Sequence, residues 1–398
     1  MPGPESMQSS APAARPGVVR AIGAAVLATT AGSMPVYLMG GLAVQAAADT
    51  GIDLAQLGAL AAVYFGSSAL WSAPAGTIVE RLGVFHTVVV AAVLSTVTLV
   101  GIAVFGRTVE ALAAFIFLAG ASNGIVQPAV NLMLARTIPV GRRGLAFGIK
   151  QAAVPLGSFL GGISVPLVGL TIGWRWAFAI GVLAPVSAVL LIPRLGRESA
   201  SGSRRRDRTP TRHGLVSVAL GAGLANGSTM MLGTFYVAGA VAGGIAPAHA
   251  GLLLSVGSLL GITTRIVVGN IADKRDAGHF IRVRWMFGVA AAGFVLLAIG
   301  QHPVVVLIGT GLAFAASWGW HGLLTYAVVV AHPTNPASAT AMTQAGSYGG
   351  GVVGPIVFGV LSATVGFGVA WNVAAAFTVL GFVMVSIGER RTIDAGIR

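Results

Sequence analysis

The chain has no cysteine, which removes disulfide frameworks, thiolate metal clusters and thiol chemistry from consideration. Charge is nearly as scarce: 9% of the 398 residues are Asp, Glu, Lys or Arg, against 55% hydrophobic. A water-soluble domain needs more polar surface than that, so lipid is the expected solvent for much of the molecule. Lysine occurs only as Lys150 and Lys274, and neither stands in a GxxxxGK[ST] phosphate loop, which argues against ATP as the energy source. No HExxH motif is present, and acidic residues stay out of the interior of every long apolar run. An enzyme is therefore not expected, nor a catalytic residue, a metal site or a cofactor.

Long apolar runs are what the chain does have. Twelve are long enough to cross a bilayer: residues 17–46, 54–78, 84–106, 109–135, 144–170, 174–193, 214–243, 249–272, 284–301, 303–331, 337–364 and 367–388, called spans 1 to 12 below. Each crossing takes roughly 20 residues at ~1.5 Å rise. Glycine is abundant, at 57 residues, as expected where membrane helices approach closely. Residues 1–16 are rich in Pro, Ser and Ala and read as a disordered cytoplasmic N-terminus without the short apolar core of a signal peptide. Residues 194–213 (RLGRESASGSRRRDRTPTRH) read as a basic cytoplasmic linker between bundles at 17–193 and 214–388, with a cytoplasmic tail at 389–398.

The net charge of +13 has a side. Of the 24 Lys and Arg, 20 fall in the two termini, in the loops after spans 2, 4, 6 and 8, or at the adjoining span ends (Arg20 and Arg284). Arg107 and Arg175 fall on the opposite side, and Lys150 and Arg265 fall inside spans. Cationic loops stay in the cytoplasm, so the expectation is a multi-pass protein of the plasma membrane with both termini cytoplasmic. A basic face against anionic lipid explains the charge without nucleic acid.

The second half repeats the first at an offset of 193 residues. Gly76-Thr-Ile-Val-Glu80-Arg81 returns as Gly269-Asn-Ile-Ala-Asp273-Lys274, and Gln151-Ala as Gln344-Ala. Gly157 and Gly161 return as Gly350 and Gly354, and Gly173 as Gly366. One six-helix unit was duplicated, and duplicated membrane units form halves around a shared site. The fold class expected is all-α: twelve transmembrane helices in two pseudo-symmetric six-helix bundles.

Gly76-x-x-x-Glu80-Arg81-x-Gly83, with its second copy Gly269-x-x-x-Asp273-Lys274, resembles the signature loop of the major facilitator superfamily, and the resemblance covers essentially the whole chain. It implies alternating access, with these six residues as a gate: the glycines let helices pack closely and the acid–base pairs latch the cytoplasmic side. The first copy has Glu for the usual Asp, and Val84-Phe85-His86 where a basic residue is usual. Patterns linked in the family to proton-driven drug efflux are missing or loose. Gly120 stands where the RxxQG arginine would be, and Val154-Pro155-Leu156-Gly157 with Gly161-Gly162 only echoes GPxxGG.

Lys150 and Arg265 carry the sharpest expectation. An ionised group in a membrane helix costs from ~2.5 kcal/mol upward, so it faces water, a partner or a ligand. No acid inside a span neutralises either one, so the missing counter-charge is read as the substrate, a carboxylate-like anion. Lys150 lies ~6–10 Å from the cytoplasmic end of span 5, within reach of a snorkelling stem, whereas Arg265 lies ~12 Å deep. Arg265-x-x-x-Gly269-x-x-x-Asp273 is similar to a pattern in monocarboxylate transporters and oxalate/formate exchangers, which implies a span 8 arginine on the substrate carboxylate. Gly261 stands where monocarboxylate carriers have an acid, and Thr343 occupies the span 11 position equivalent to Lys150.

The remaining polar residues concentrate in spans 1, 2, 4, 5, 7, 8, 10 and 11, as expected if these line a wet cavity and the others face lipid. Candidate substrate contacts beside Lys150 and Arg265 are Gln151, Gln344, His321, Asn123, Tyr348, Trp320, Tyr37 and Tyr236. His321 reads either as a proton carrier or as a residue held to a backbone carbonyl. The expected partners are a small-molecule substrate, protons as a co-substrate, and the bilayer, for a monomer. Efflux of a drug or natural product is the alternative, supported by Trp318, Trp320 and Tyr348, and a non-transporting receptor or scaffold is the remote one.

Overall fold

The computed structural model describes residues 16–139, 143–193, 214–272, 278–300, 302–332 and 336–394. These residues contain helices and turns and no strand. In order they form α1 (Pro16–Gly41), α2 (Ala43–Thr50), α3 (Leu54–Phe105), α4 (Val109–Thr137), α5 (Arg143–Gln151), α6 (Ala153–Ser164), a π-helical turn (Val165–Gly173), α7 (Trp174–Gly181) and α8 (Leu183–Leu191). The second half gives α9 (Leu215–Ala242), α10 (Pro247–Ala272), α11 (His279–Ile299), α12 (Pro303–Ala331), α13 (Pro336–Thr364) and α14 (Phe367–Asp394).

Ten continuous stretches are apolar and long enough to span a membrane, but two of them run to 52 and 46 residues. At ~1.5 Å per residue each is about twice the thickness of a bilayer and must hold two crossings. The first, α3, reverses at Gly83, whose φ of 78° and ψ of 164° are non-helical. The second breaks at Gly173, at φ 104°. Counted this way, the crossings are the twelve of the sequence. Gly366, the repeat mate of Gly173, has φ 95°, and a further pair 193 residues apart, Gly51 and Gly244, has φ 73° and 90°. A side chain is strained in that region, so the duplication kept its turns by keeping glycine.

Helix ends are made locally. Asp53 caps α3 in a reciprocal box with Gln56, at 2.7 and 3.0 Å. Thr108 caps α4 through the Ala111 amide at 3.3 Å. Near the opposite end of α4 from the basic face, Asp49 accepts from Arg175 and, at 3.1 Å, from the Trp174 indole, while Arg175 also reaches the Gly106 carbonyl at 3.0 Å. The Arg175 hydrogen bond, then that of Trp174, holds the Asp49 carboxyl below the usual carboxylate range.

Burial is greatest in the first helix of each half: the most apolar stretches of α1 and α9 are each 78% buried, against 33% for α11 and α13 and 39% for α10 and α14. Val93, Val97, Val100 and Val104 of span 3, Leu183 and Leu190 of span 6, Trp285 of span 9 and Val379 and Val383 of span 12 are exposed, the apolar belt that lipid requires.

Residues related by a duplication touch each other only near the axis that relates them. Tyr37 donates to the Met230 sulfur at 3.6 Å, and the two are 193 residues apart. Gly40 and Gly233 are such a pair as well, and a Cβ on Gly40 would lie 2.8 Å from the Gly233 carbonyl. The pseudo-two-fold axis therefore passes between α1 and α9. Around it, Gly58 of α3 sits on the Pro355 carbonyl of α13, and Gly251 of α10 sits on the Gly162 carbonyl of α6, again equivalent contacts. Ser255 donates to the Phe159 carbonyl at 3.1 Å and Ser258 to Ser158 at 2.9 Å, closing the same seam. All these contacts lie on the face away from the signature loops. On the signature-loop face, added methyl groups at Gly76, Gly148, Gly269 or Gly349 would meet no atom within 4 Å. The contacts between the halves thus close the side away from the signature loops.

Candidate functional site

The seam ends at the two cations. Arg265 of α10 donates Nε to the Trp318 carbonyl at 3.0 Å and Nη1 to the Gln151 carbonyl, which belongs to the other half. That carbonyl is available for a covalent reason. In a helix it would accept from the residue four positions on, and that residue is Pro155, which has no N–H. The helix keeps its path through Ala152, at φ −68° and ψ −13°, and loses this one bond between α5 and α6. The proline thus creates an orphan acceptor in the apolar seam, and the arginine satisfies it.

Lys150 is the neighbour of that carbonyl. Its Nζ donates to Gln127 Oε1 and, at 3.3 Å, to Gln151 Oε1. Gln127 donates to Asn123 Oδ1 at 3.1 Å, and Asn123 to Ser68 at 3.2 Å. A continuous polar chain runs Ser68–Asn123–Gln127–Lys150–Gln151–Arg265, from α3 through α4 and α5 to α10. Lys150 is 2% and Arg265 6% exposed, so the lysine does not snorkel to the interface. Among the described residues neither cation has a carboxylate within ion-pairing distance. Arg265 Nη2 makes no hydrogen bond to a described residue, which leaves one edge of the guanidinium for a ligand.

Aromatic groups close the site from the axis. The Tyr37 ring meets Trp318 edge-on at 5.7 Å. The buried Trp318 indole N–H has no partner among the described residues. His321 donates Nε2–H to Asn226 Oδ1, 2.9 Å away, and Asn226 donates to the Ser347 carbonyl at 2.7 Å. The His321 ring stacks on Trp320 at 3.8 Å, and Trp320 packs on Phe287 inside the second bundle.

Of the sequence candidates, Lys150, Arg265, Gln151, Asn123 and Tyr37 come together. Tyr236 bonds Thr310 at 2.5 Å and packs on Phe314 within the second bundle, making no contact with the cations. Gln344 is exposed, and it and the half-buried Tyr348 make no side-chain hydrogen bond. Gly76 is open, and Glu80 and Arg81 are exposed, while Asp273 and Lys274 lie outside the described residues. Gln127 and Pro155 join this cluster beside the candidate contacts, Pro155 through its spacing of four from Gln151. Gly120-Ala-Ser122-Asn-Gly124 does have GxSxG spacing, but Ser122 lies inside α4. It bonds Ser95 and the Ala91 carbonyl, each at 2.8 Å, rather than standing on a strand–helix elbow.

The profile of the Major Facilitator Superfamily matches residues 21–320. The chain belongs to that superfamily. It is 28% identical over 305 residues to the uncharacterized MFS-type transporter Rv2994 of Mycobacterium tuberculosis, covering 69% of this chain and 63% of that protein. The match thus spans less than two thirds of that relative's length. A shorter match, 27% identical and covering 43% of this chain and 42% of the other, is to the quinolone resistance protein NorA of Staphylococcus aureus. Among solved structures, a bacterial homologue of the human lysosomal transporter Spinster superposes with a TM-score of 0.74 over 96% of this chain and 99% of that one, at 14% identity. At that identity the likeness is one of fold.

Proposed function

We propose that this superfamily member is a secondary transporter of a small carboxylate-like organic anion, working by alternating access as a proton symporter or an anion exchanger. The observation that carries the reading is the cation pair. Lys150 and Arg265 are buried where the two halves meet, and among the described residues no acid pairs with them and Nη2 of Arg265 is unused. Two such charges in a membrane interior are costly unless an anion joins them. A carboxylate bridging Arg265 and Lys150 would touch both halves at once, which is what a substrate must do to govern their rocking. The basic face then looks into the cytoplasm of a cell bounded by the plasma membrane, and the sealed face looks outward.

Efflux of a drug or natural product is the second reading, supported by the Tyr37–Trp318 pair beside the site and by the likeness to NorA. Thermal shifts of the purified protein separate the two. Pyruvate, succinate and benzoate should each be tried against bulky cationic drugs. At ~100 times its dissociation constant a ligand adds ~2.7 kcal/mol of stability. Stabilisation by carboxylates supports the first reading, and stabilisation only by bulky cations or neutral aromatics overturns it.

A further inference from the structure

The donor count at Lys150 has a consequence for coupling. An ammonium has three N–H bonds and a neutral amine has two. The described residues offer Nζ two acceptors, Gln127 Oε1 and Gln151 Oε1, both amide oxygens and neither charged. The acceptor set suits the neutral amine, and the third proton of the ammonium has no protein partner among the described residues. Arg265 bonds the backbone of the same glutamine, so a second full charge at Lys150 would face the first across one residue. Arginine cannot shed its charge in a protein, whereas lysine can.

We propose that Lys150 carries the coupled proton: the amine is neutral in the empty site and becomes an ammonium as the anion arrives, its third N–H donating to the bound carboxylate. This rests on the carboxylate reading above. The balance is simple. One proton from the medium adds to the Nζ lone pair as one negative charge enters, and both leave on the far side, so the loaded and empty sites carry the same net charge. A neutral cargo of proton plus anion also lets the loaded site stay in the low-dielectric seam while the halves rock. The other titratable groups facing this centre are Arg265 from α10, Tyr37 from α1 and His321 from α12; no carboxylate faces it from any described element. The Asn226 bond ties His321 into the second bundle, with its ring 6.4 Å from that of Trp318.

The test is titration calorimetry of the full chain in detergent with pyruvate, succinate and benzoate, each in two buffers of different ionisation enthalpy, from about pH 6 to about pH 9. The wild type should take up close to ~1 proton per carboxylate at the alkaline end, and its affinity should fall as pH rises. Lys150→Arg, which is always charged, should bind without proton uptake and with an affinity flat in pH. Lys150→Gln serves if that variant does not fold, and should bind more weakly, also without uptake. His321→Gln should retain the uptake. Proton uptake that persists in the lysine variants, or that disappears in His321→Gln alone, overturns the assignment. Carboxylate binding with no proton linkage in the wild type overturns this inference and leaves the carboxylate site standing. Absence of carboxylate binding in any variant overturns both.

Discussion

Spans 5 and 11 descend from one ancestral helix and now do different work. Span 11 is a single helix, α13, from Pro336 to Thr364. Span 5 lacks one backbone bond after Gln151 and widens into a π-helical turn at Val165–Gly173. The difference traces to single positions. Where span 5 has Lys150, span 11 has Thr343, whose hydroxyl is turned back to the Thr340 carbonyl of its own helix at 3.0 Å. Where span 5 has Pro155, span 11 has Tyr348, which keeps an N–H for the Gln344 carbonyl. One copy thus exposes an acceptor and a cation to the seam, and the other keeps its polar groups within an intact helix. Duplication supplied a symmetric scaffold, and a few substitutions placed the chemistry on one side of the axis.

The contrast can be broken at its closest contact. A Cβ on Gly350 of span 11 would fall on the Gly223 carbonyl of α9, backbone that cannot give way, whereas one on its mate Gly157 meets the Tyr37 ring at 3.1 Å. Gly350→Ala should therefore destabilise by about 1–3 kcal/mol or abolish expression, and Gly157→Ala by less than ~1 kcal/mol. Thermal melts in detergent give both numbers. Equal losses would mean that the two crossings are equally tight.

Binding should divide the repeat mates next. Arg265→Gln removes a charge-assisted donor worth ~1.5–3 kcal/mol, so carboxylate affinity should fall about 10- to 150-fold. Gln344→Ala, on the exposed mate of Gln151, should leave affinity within about twofold. Calorimetric dissociation constants decide between them.

A smaller effect should follow Pro155→Ala. The new N–H competes with Arg265 for the Gln151 carbonyl, which rejoins α5 to α6 and loosens the seam. We expect a higher melting temperature and a carboxylate affinity changed by a few-fold, on the scale of one hydrogen bond at ~1 kcal/mol. An unchanged affinity would show that the carbonyl contact does not matter to the site.

The smallest effect concerns the outer rim, where the first half has the Asp49–Arg175 pair and the equivalent positions of the second half are Ala242 and Gly368. The native Asp49 carboxyl sits lower than an unfolded one, near ~3.9, so its stabilisation is complete above that value. It is lost as pH falls through the native value. Asp49→Asn should lose less than ~1 kcal/mol at neutral pH, because the pair is part-exposed and screened, and the gap to wild type should close in acid. An acid unfolding series monitored by tryptophan fluorescence checks the sign.

Much of this was legible in the sequence. Apolar length gave the twelve crossings, and the 193-residue register located turns that later proved to need positive φ at Gly173 and Gly366. The two cations singled out by the sequence meet around Gln151. Gln344 is exposed on span 11, whereas its mate Gln151 gives its carbonyl to Arg265 in the seam. Tyr236 was chosen as a polar group in a central helix, but its hydroxyl is satisfied by Thr310, a pairing 74 residues away that no local pattern announces. The drawn end of span 9 at Arg284 was likewise too short. The helix begins at His279, because its basic end leaves the apolar layer, where Arg284 pairs with Glu389 of α14 at 3.1 Å.

The central claim, that a carboxylate joins Lys150 of one half to Arg265 of the other, is tested most directly by counterflow in proteoliposomes. Vesicles loaded with unlabelled pyruvate, succinate or benzoate would be diluted into the labelled compound, with wild type, Arg265→Gln and Lys150→Gln compared at equal reconstitution. The account predicts a transient accumulation of label in the wild type for at least one carboxylate, reduced at least ~10-fold in both variants. Accumulation undiminished in Arg265→Gln, or absent for every carboxylate while a bulky cation is carried, would contradict it.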